Sequence, residues 1–313
     1  MISRRNIRVK VMQLLYIIET AEEGAKLPKP VQVLKKQLDL SNELFVYLLY
    51  FITEVARYAE TSAFNRAARN LPSDADLNVN TKIAGNSFLW EIIESDYFMQ
   101  AVEVFKPANL LSKDLLKKTF DALTESEIYQ QYTLSEARDK SKEKEIIKYI
   151  FTHLMLPNEA FIEHLEEVFT NWDDDADMME QLVLNYIQKP QGVNLLEMVG
   201  PEKWQFAQNL LETTIDKKTV SADLIKPKLK NWDAERIALL DMILMRMGVC
   251  ELLFFETIPT KVTINEYIDL AKDYSTAQSG QFVNGILDNI HKELTASGKI
   301  QKVNFNASNN KKK

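Results

Sequence analysis

Apolar residues recur along most of this chain at intervals of three and four positions, which is the spacing of one face of an α-helix. Such stripes occur near the start, in the middle and near the end of the chain: Ile7, Val11, Leu14 and Ile18; Leu44, Leu48, Phe51 and Val55; Met179, Leu182, Val183 and Tyr186; Val283, Ile286, Leu287 and Ile290. The alternation typical of a strand is nearly absent, and residues 262–264 are its best example. The pattern therefore predicts an all-α protein.

Polar residues that commonly cap helices mark three predicted helix starts. The tripeptide 41–43, Ser-Asn-Glu, precedes the stripe at 44–55, and Ser279 precedes the last stripe. Thr263 and Glu266 have the spacing of a capping box, in which each side chain accepts a hydrogen bond from a free backbone N–H of the first turn. We expect helices to begin at these positions.

Turn-forming residues are scarce, because the 313 residues include only 8 glycines and 9 prolines. This scarcity argues against a protein with many strands and tight turns. Phosphate loops rich in glycine are missing as well. The chain has no G-x-G, and its one G-x-x-x-x-G, Gly280 to Gly285, is followed by Ile286 and not by lysine. The sequence predicts no cofactor.

Residues that could carry catalysis or bind a metal are few and poorly spaced. Cys250 is the single cysteine and lies in the apolar run 247–252, so we predict a buried structural thiol and not a nucleophile. The three histidines, His153, His164 and His291, have no metal-ligand spacing. We therefore expect a protein that is not an enzyme and holds no metal.

Neither a signal peptide nor a membrane span is visible in the sequence. The N-terminus lacks the apolar core of a signal peptide. The longest apolar run, 44–52, is too short to cross a bilayer, which takes about 20 residues. A cytoplasmic location without a membrane partner is the expectation.

Charge is unevenly distributed over a chain with a net charge of −7. The first ten residues carry Arg4, Arg5, Arg8 and Lys10 without an acid, and residues 299–313 carry five lysines without an acid. On a helix the three arginines share a sector of about 100° beside the apolar stripe, and Lys10 flanks the other side. Guanidinium groups in this arrangement suit phosphates and base edges. A solvated basic helix end is the alternative interpretation.

Several motifs follow one another in the last third of the chain: E-L at 251–252, I-P-x-K-V-x-I-N-E at 258–266, L-A-K at 270–272 and F-V-N-G-I-L-D at 282–288. At the N-terminus R-R-x-x-R at 4–8 is followed by Q-L-L-Y at 13–16. In combination these motifs closely resemble the NusB family of transcription antitermination factors.

The resemblance covers residues 1–23 and 200–297, and it implies a domain organisation. Residues 1–23 form the first helix of a NusB-like helical bundle, and residues 200–298 form its C-terminal helical domain. Residues 24–199 have no counterpart in the compact family pattern and are interpreted as a helical insertion or an enlarged N-terminal half. Residues 299–313 are predicted to be a disordered basic tail.

The resemblance also implies a function. Family members bind boxA, a short single-stranded RNA element of ribosomal RNA transcripts, together with the ribosomal protein NusE. The complex joins the elongating RNA polymerase and suppresses termination. Carried over to this chain, the RNA-binding residues are Arg4, Arg5, Arg8, Lys10 and Phe282. The residues that face NusE are Tyr16 and Asp241.

Other interpretations stay open at this point. The chain is alternatively a helical scaffold whose long insertion binds another protein and whose RNA binding is reduced or lost. A third interpretation, an RNA-modifying enzyme, would need a glycine-rich cofactor-binding half and a catalytic cysteine, and the sequence has neither. Phe282 is equally well a core residue, and Asp241 a solvated acid. Asn284 and Gly285 are expected to serve close helix packing, because glycine in a helix costs about 1 kcal/mol.

Overall fold

The computed structural model describes residues 2–22, 28–135, 138–190, 192–229 and 237–303. Over these ranges the chain forms α-helices and shorter helical segments without a strand, so the prediction of an all-α protein is confirmed. The α-helices in chain order are α1 (Arg4–Thr20), α2 (Pro30–Ala67), α3 (Asp74–Leu77), α4 (Ser87–Ile93), α5 (Asp96–Phe105), α6 (Lys113–Glu125), α7 (Glu127–Leu134), α8 (Lys140–Tyr149), α9 (Glu159–Val168), α10 (Trp172–Gln188), α11 (Pro201–Asp216), α12 (Lys218–Ile225), α13 (Leu239–Phe254), α14 (Thr260–Tyr274) and α15 (Ser279–Ala296).

Four short segments complete the helical structure. Three are 3₁₀-helices, Lys82–Gly85, Pro107–Leu110 and Lys226–Leu229, and the fourth, Ile150–Met155, continues α8 as a π-helix. None of the helices within the described ranges is long and apolar enough to span a membrane.

The chain divides into two compact units, and one of them combines Ile2–Lys36 with Val199–Lys313. Its centre is α13, which is buried along nearly its whole length from Ile243 to Leu252. A helix that is apolar on all sides must be covered on all sides. Helices α1, α11, α12, α14 and α15 provide this cover, and α14 also packs along α15.

The other unit comprises Gln37–Met198. Its core is rich in aromatic rings that extend from α2 towards α9 and the residues that follow it. The ring centroids of Phe51 and Phe161 lie 4.7 Å apart, and those of Tyr47 and Phe169 lie 5.2 Å apart. Rings at these distances add stabilisation beyond the apolar area that they bury.

Two of the three predicted helix starts are wrong, those at 41–43 and at Thr263, and the third is confirmed, because α15 begins at Ser279. Ser41 lies inside α2, which begins at Pro30, and its hydroxyl donates to the Asp175 carboxylate at 2.6 Å. Helix α14 begins at Thr260, so Thr263 is buried in the helix and cannot be its cap. Ser279 is the first residue of α15, and its hydroxyl donates to Asp241. In each case the polar side chain that resembles a cap has a tertiary partner.

Part of the predicted basic tail packs onto the end of α13. The Lys302 Nζ donates to the backbone carbonyls of Glu251 and Phe255, at 2.9 and 2.7 Å. The backbone N–H of Val303 donates to the Glu256 carbonyl. Residues 304–313 of the predicted tail lie outside the described residues.

Candidate nucleic-acid interface

Arg4 and Arg5 occupy the first turn of α1, and both reach solvent. Their side chains are 39% and 36% exposed. Each makes one close ion pair, Arg4 with Glu202 and Arg5 with Asp273, both at 2.7 Å. Exposed ion pairs of this kind contribute about 0–1 kcal/mol, so a phosphate can replace the carboxylates at little cost.

Arg8 lies one turn further along α1 and is buried, with a side chain only 3% exposed. Its Nε and Nη2 donate to the two carboxylate oxygens of Glu251 at 2.9 and 2.8 Å. A third donor, Nη1, reaches Glu266 at 3.3 Å. Thr263 and Tyr267 donate their hydroxyls to the same Glu251 carboxylate. Arg8 therefore differs from the surface position that the helical spacing predicts.

The electrostatics of this cluster favour a permanently charged Arg8. Burial by itself lowers the pKa of the Arg8 guanidinium, but the hydrogen bond and charge of Glu251 outweigh that effect and raise the pKa above its ordinary value. The ring of Phe206 lies 5.3 Å from the Arg8 guanidinium carbon and 5.5 Å from that of Arg4. Cations at this distance from a ring face are attracted by its quadrupole.

Helix α1 is fixed at its other end by a second ion-pair cluster. Glu19 accepts from Arg246 Nη1 at 2.7 Å, and also from Lys218 at 2.7 Å. Together with the Arg8 cluster, these bonds fix the direction of α1 and thereby the position of Arg4. Lys10, the fourth predicted basic contact, is 3% exposed and belongs to the buried side of the helix.

Phe282 is buried in the first turns of α15, with 8% of the residue exposed. It nevertheless lines a cavity of about 720 Å³ between α15 and the 3₁₀-helix Lys226–Leu229. The amides of Gln281 and Asn284 and the backbone of Gly285 share the lining. Amide side chains can exchange paired hydrogen bonds with the edges of bases.

Two residues of this motif were expected to serve close helix packing, and that expectation is wrong. A methyl group at Gly285 would meet nothing within 4 Å, and Asn284 is exposed. The close approaches lie at other glycines. A methyl group at Gly248 would stand 3.0 Å from the Leu287 side chain, and one at Gly280 would stand 2.6 Å from Lys272. Gly285 therefore borders open space in the cavity.

The two residues predicted to face a protein partner lie in different environments. Tyr16 on α1 is 44% exposed. Asp241 in the first turn of α13 is buried, and its Oδ2 accepts from Ser279 at 2.7 Å. Its Oδ1 has no hydrogen-bond partner among the residues described. The alternative of a solvated acid at this position is wrong.

Sequence reasoning missed Glu251 as the residue that organises the cluster. The signal was present in the E-L motif, where one carboxylate interrupts the apolar run at 247–252. A charge in a buried apolar helix requires a partner of opposite charge. The partner is Arg8, which is distant in sequence and could not be identified from spacing.

Cys250, next to Glu251, is buried as predicted. Burial raises the pKa of its thiol to about 11, so the thiol is protonated near neutral pH. Because the thiolate is the nucleophile, Cys250 is poorly suited to covalent catalysis.

Comparison with known proteins places the chain in one family. The NusB family model matches residues 157–292, a range that begins before the resemblance at 200–297. The transcription antitermination protein NusB of Salinibacter ruber is 40% identical over 102 residues, which are 33% of this chain and 64% of that protein. The protein of the same name from Bacillus mycoides is 39% identical over 95 residues, 30% of this chain and 73% of the relative.

A third relative of that name, from Chloroherpeton thalassium, is 46% identical over 72 residues, which are 23% of this chain and 34% of the relative. The chain thus spans less than two thirds of the length of two of these three relatives. No solved structure matches the chain. The helical architecture, the matched region and the Bacillus relative together establish that this chain belongs to the NusB family.

Proposed function

We propose that this protein is a transcription antitermination factor that binds a boxA-like single-stranded RNA together with NusE. The complex joins the RNA polymerase elongation complex in the cytoplasm and suppresses termination in ribosomal RNA transcription. The names of the NusB relatives support antitermination. The observation that carries the RNA assignment is the exposed pair Arg4 and Arg5 on a helix whose direction is fixed by buried ion pairs.

The basic residues of α1 have two different roles in this proposal, depending on whether they are exposed or buried. Arg4 and Arg5 exchange their surface carboxylates for RNA phosphates, which they bind through charge-assisted hydrogen bonds. Arg8 acts through Glu251 and holds α1 in place, so it is a positioning residue in this proposal. Lys10 has the same supporting role, because it lies on the buried side of α1.

Phe282 and the cavity beside it accept a base of the RNA. Unstacked bases are commonly bound against aromatic rings, with amides reading their edges. The Phe282 ring presents only a small part of its surface, so the cavity amides of Gln281 and Asn284 carry most of the base contact. Gly285 leaves the space through which the RNA backbone or base approaches the helix.

The NusE contact in this proposal is centred on Tyr16, whose exposed ring offers both an apolar face and a hydroxyl. Asp241 contributes through the start of α15, because its carboxylate holds Ser279.

Fluorescence anisotropy of a labelled boxA-like RNA tests the proposal, with the protein alone and with the NusE homologue. The variant Arg4→Ala/Arg5→Ala is expected to bind the RNA at least tenfold more weakly, because two charge-assisted bonds are lost. The control variant Lys261→Ala/Lys292→Ala removes two exposed positive charges from the same unit and is expected to bind normally.

The salt dependence gives a second readout of the same contacts. Each phosphate contact on a single strand contributes about −0.7 to the slope of log K against log salt. The slope of the arginine variant should therefore be less steep than that of the unchanged protein by about 1.4. Equal slopes and equal affinities would remove Arg4 and Arg5 from the interface. No sequence-selective RNA binding by the unchanged protein would favour a scaffold without RNA binding.

Gly285→Ala extends the titration to the cavity. The added methyl group meets no atom, and alanine is the better helix former by about 1 kcal/mol, so the variant should be at least as stable as the unchanged protein. We expect weaker RNA binding nevertheless, because the methyl group enters the cavity. Unchanged RNA affinity in this stable variant would place the RNA elsewhere.

A further inference from the structure

The unit formed by Gln37–Met198 contains a cleft of about 870 Å³ that none of the family motifs touches. The end of α2, the segment around α3, and helices α6 and α7 form its walls. Its volume lies within the range of about 300–1,000 Å³ that is typical of small-molecule sites. Its lining is polar and aromatic, unlike an incidental gap between apolar side chains.

A buried carboxylate holds two arginines at the edge of this cleft. Asp76 Oδ1 accepts from Arg66 Nε at 2.8 Å and from Arg69 Nη1 at 3.0 Å. Its Oδ2 accepts from the backbone N–H and hydroxyl of Ser73, which fixes the carboxylate in turn. The Asp76 side chain is 8% exposed, whereas those of Arg66 and Arg69 are 40% and 60% exposed. Asp76 thus orients both guanidinium groups, and part of each group remains exposed to solvent.

The cleft has a surplus of positive charge in a chain that is acidic overall. Lys117 on α6 is an exposed third cation of the lining, and no ion-pair partner of Lys117 occurs in the described part of the chain. Three cations face the two acids Asp76 and Asp121. The net positive charge favours an anionic ligand, such as a phosphate group.

Aromatic rings line the cleft beside these cations. The ring centroids of Tyr58 and Phe120 lie 5.4 Å apart, and those of Phe120 and Tyr129 lie 6.4 Å apart. Tyr129 donates its hydroxyl to the Asn80 carbonyl at 3.2 Å, which fixes the ring. Phe120 and Tyr129 are buried, with 1% and 6% of each residue exposed, so the partly exposed Tyr58 is the ring of this wall that a base can contact.

The lining also includes the amide of Asn65 and the carboxylate of Asp121. Within the described ranges neither side chain has a hydrogen-bond partner. An amide can pair with a base edge, and a carboxylate can accept from the hydroxyls of a ribose.

We propose that this cleft binds a phosphorylated nucleoside. Arg69 and Lys117 hold the phosphate, Asp121 accepts from the ribose, and Tyr58 contacts the base. The shared chemistry can come from a free nucleotide or from one nucleotide of a single-stranded RNA. The inference is independent of the proposed antitermination function, because it uses none of the residues assigned to boxA.

Isothermal titration calorimetry of the full chain with AMP, GMP, CMP and UMP tests the site. We expect at least one of them to bind, and adenosine or inorganic phosphate alone to bind at least tenfold more weakly. Lys117→Gln and Arg69→Gln should each weaken binding about tenfold or more, the change expected for one lost charge-assisted hydrogen bond. Lys118→Gln is the matched control, because Lys118 is also exposed but pairs with Asp114 and does not line the cleft.

A second experiment distinguishes a free nucleotide from an RNA strand. It uses the variant Arg4→Ala/Arg5→Ala and a labelled RNA hexamer that repeats the nucleotide whose monophosphate binds most tightly. Tighter binding of the hexamer than of the monophosphate, lost in Lys117→Gln, supports an RNA strand as the ligand. Binding of the monophosphate without competition by the hexamer supports a free nucleotide. If neither ligand binds, or if Lys117→Gln and Lys118→Gln behave alike, the proposal is overturned while the boxA assignment stands.

Discussion

Two of the clusters that join a carboxylate to arginine, those of Glu251 and Asp76, use the same bond in opposite ways. In the unit that contains α1, Glu251 is fully buried, and both of its carboxylate oxygens accept hydrogen bonds from the buried Arg8. In the other unit, Asp76 is buried but Arg66 and Arg69 extend to solvent. Both carboxylates are held by further hydroxyl donors, Tyr267 and Ser73 among them.

The difference lies in what remains for a ligand. Around Glu251 the donors and acceptors are directed at one another inside the fold, so the cluster fixes helices. Around Asp76 the carboxylate orients two guanidinium groups whose outer edges stay in a cleft. The presence of an arginine therefore does not by itself identify a binding residue. The exposure of its guanidinium group must be known as well.

Removal of the Glu251 carboxylate is expected to have the largest effect. In Glu251→Ala the buried Arg8 loses its buried counter-charge and keeps only the partly exposed Glu266 at 3.3 Å. Removing one partner of a buried ion pair costs about 3–5 kcal/mol of the free energy of unfolding. Urea unfolding at neutral pH measures the loss. Glu202→Ala is the matched control, because Glu202 pairs with exposed Arg4 and should change stability by less than about 1 kcal/mol. Similar losses in both variants would contradict the contrast between buried and exposed pairs.

Arg8→Lys keeps the charge and tests the geometry of the same cluster. Lysine cannot reproduce the two parallel bonds to Glu251, so we expect a loss of about 1–3 kcal/mol in urea unfolding. Arg5→Lys, at the exposed position one turn earlier, should stay within about 0.5 kcal/mol. If Arg8→Lys were as harmless as Arg5→Lys, the buried geometry of Arg8 would be refuted.

Asp76→Asn is expected to have the smallest effect on stability and one that depends on pH. The hydrogen bonds from Arg66 and Ser73 hold the pKa of Asp76 well below its ordinary value. The stabilisation is thus complete above the unfolded pKa of about 3.9 and is lost as the pH falls below it. Between pH 7 and pH 3 the urea midpoint should fall further in the unchanged protein than in Asp76→Asn. An equal fall would show that the carboxylate is not held by these donors.

The helical class and the family could be predicted from the sequence because they depend on local and contiguous signals. Apolar spacing indicates helices wherever a buried stripe is needed, and the motifs between 251 and 288 lie close together along the chain. Helix boundaries were harder to predict. Thr263 has the spacing of a cap, but its hydroxyl donates to Glu251 and the helix begins a turn earlier, at Thr260.

The candidate RNA site was predictable only in part for a related reason. A helical wheel gives the direction of Arg4, Arg5 and Arg8 around α1 but not the depth of the neighbouring surface. The neighbours that bury Arg8 come from the far end of the chain, and the Glu251 carboxylate is 243 positions away. The cleft around Asp76 left no motif at all, because its lining comes from separate helices.

The sequence by itself determined that this is a helical protein of the NusB type with a basic N-terminal helix, since periodicity and motif order are properties of neighbouring residues. Only the tertiary structure decided which basic residues are available to a ligand. Availability depends on the free energy of burying a charge, and that depends on whether a distant chain segment supplies the opposite charge. Glu251 supplies it for Arg8, and Arg4 and Arg5 remain at the surface.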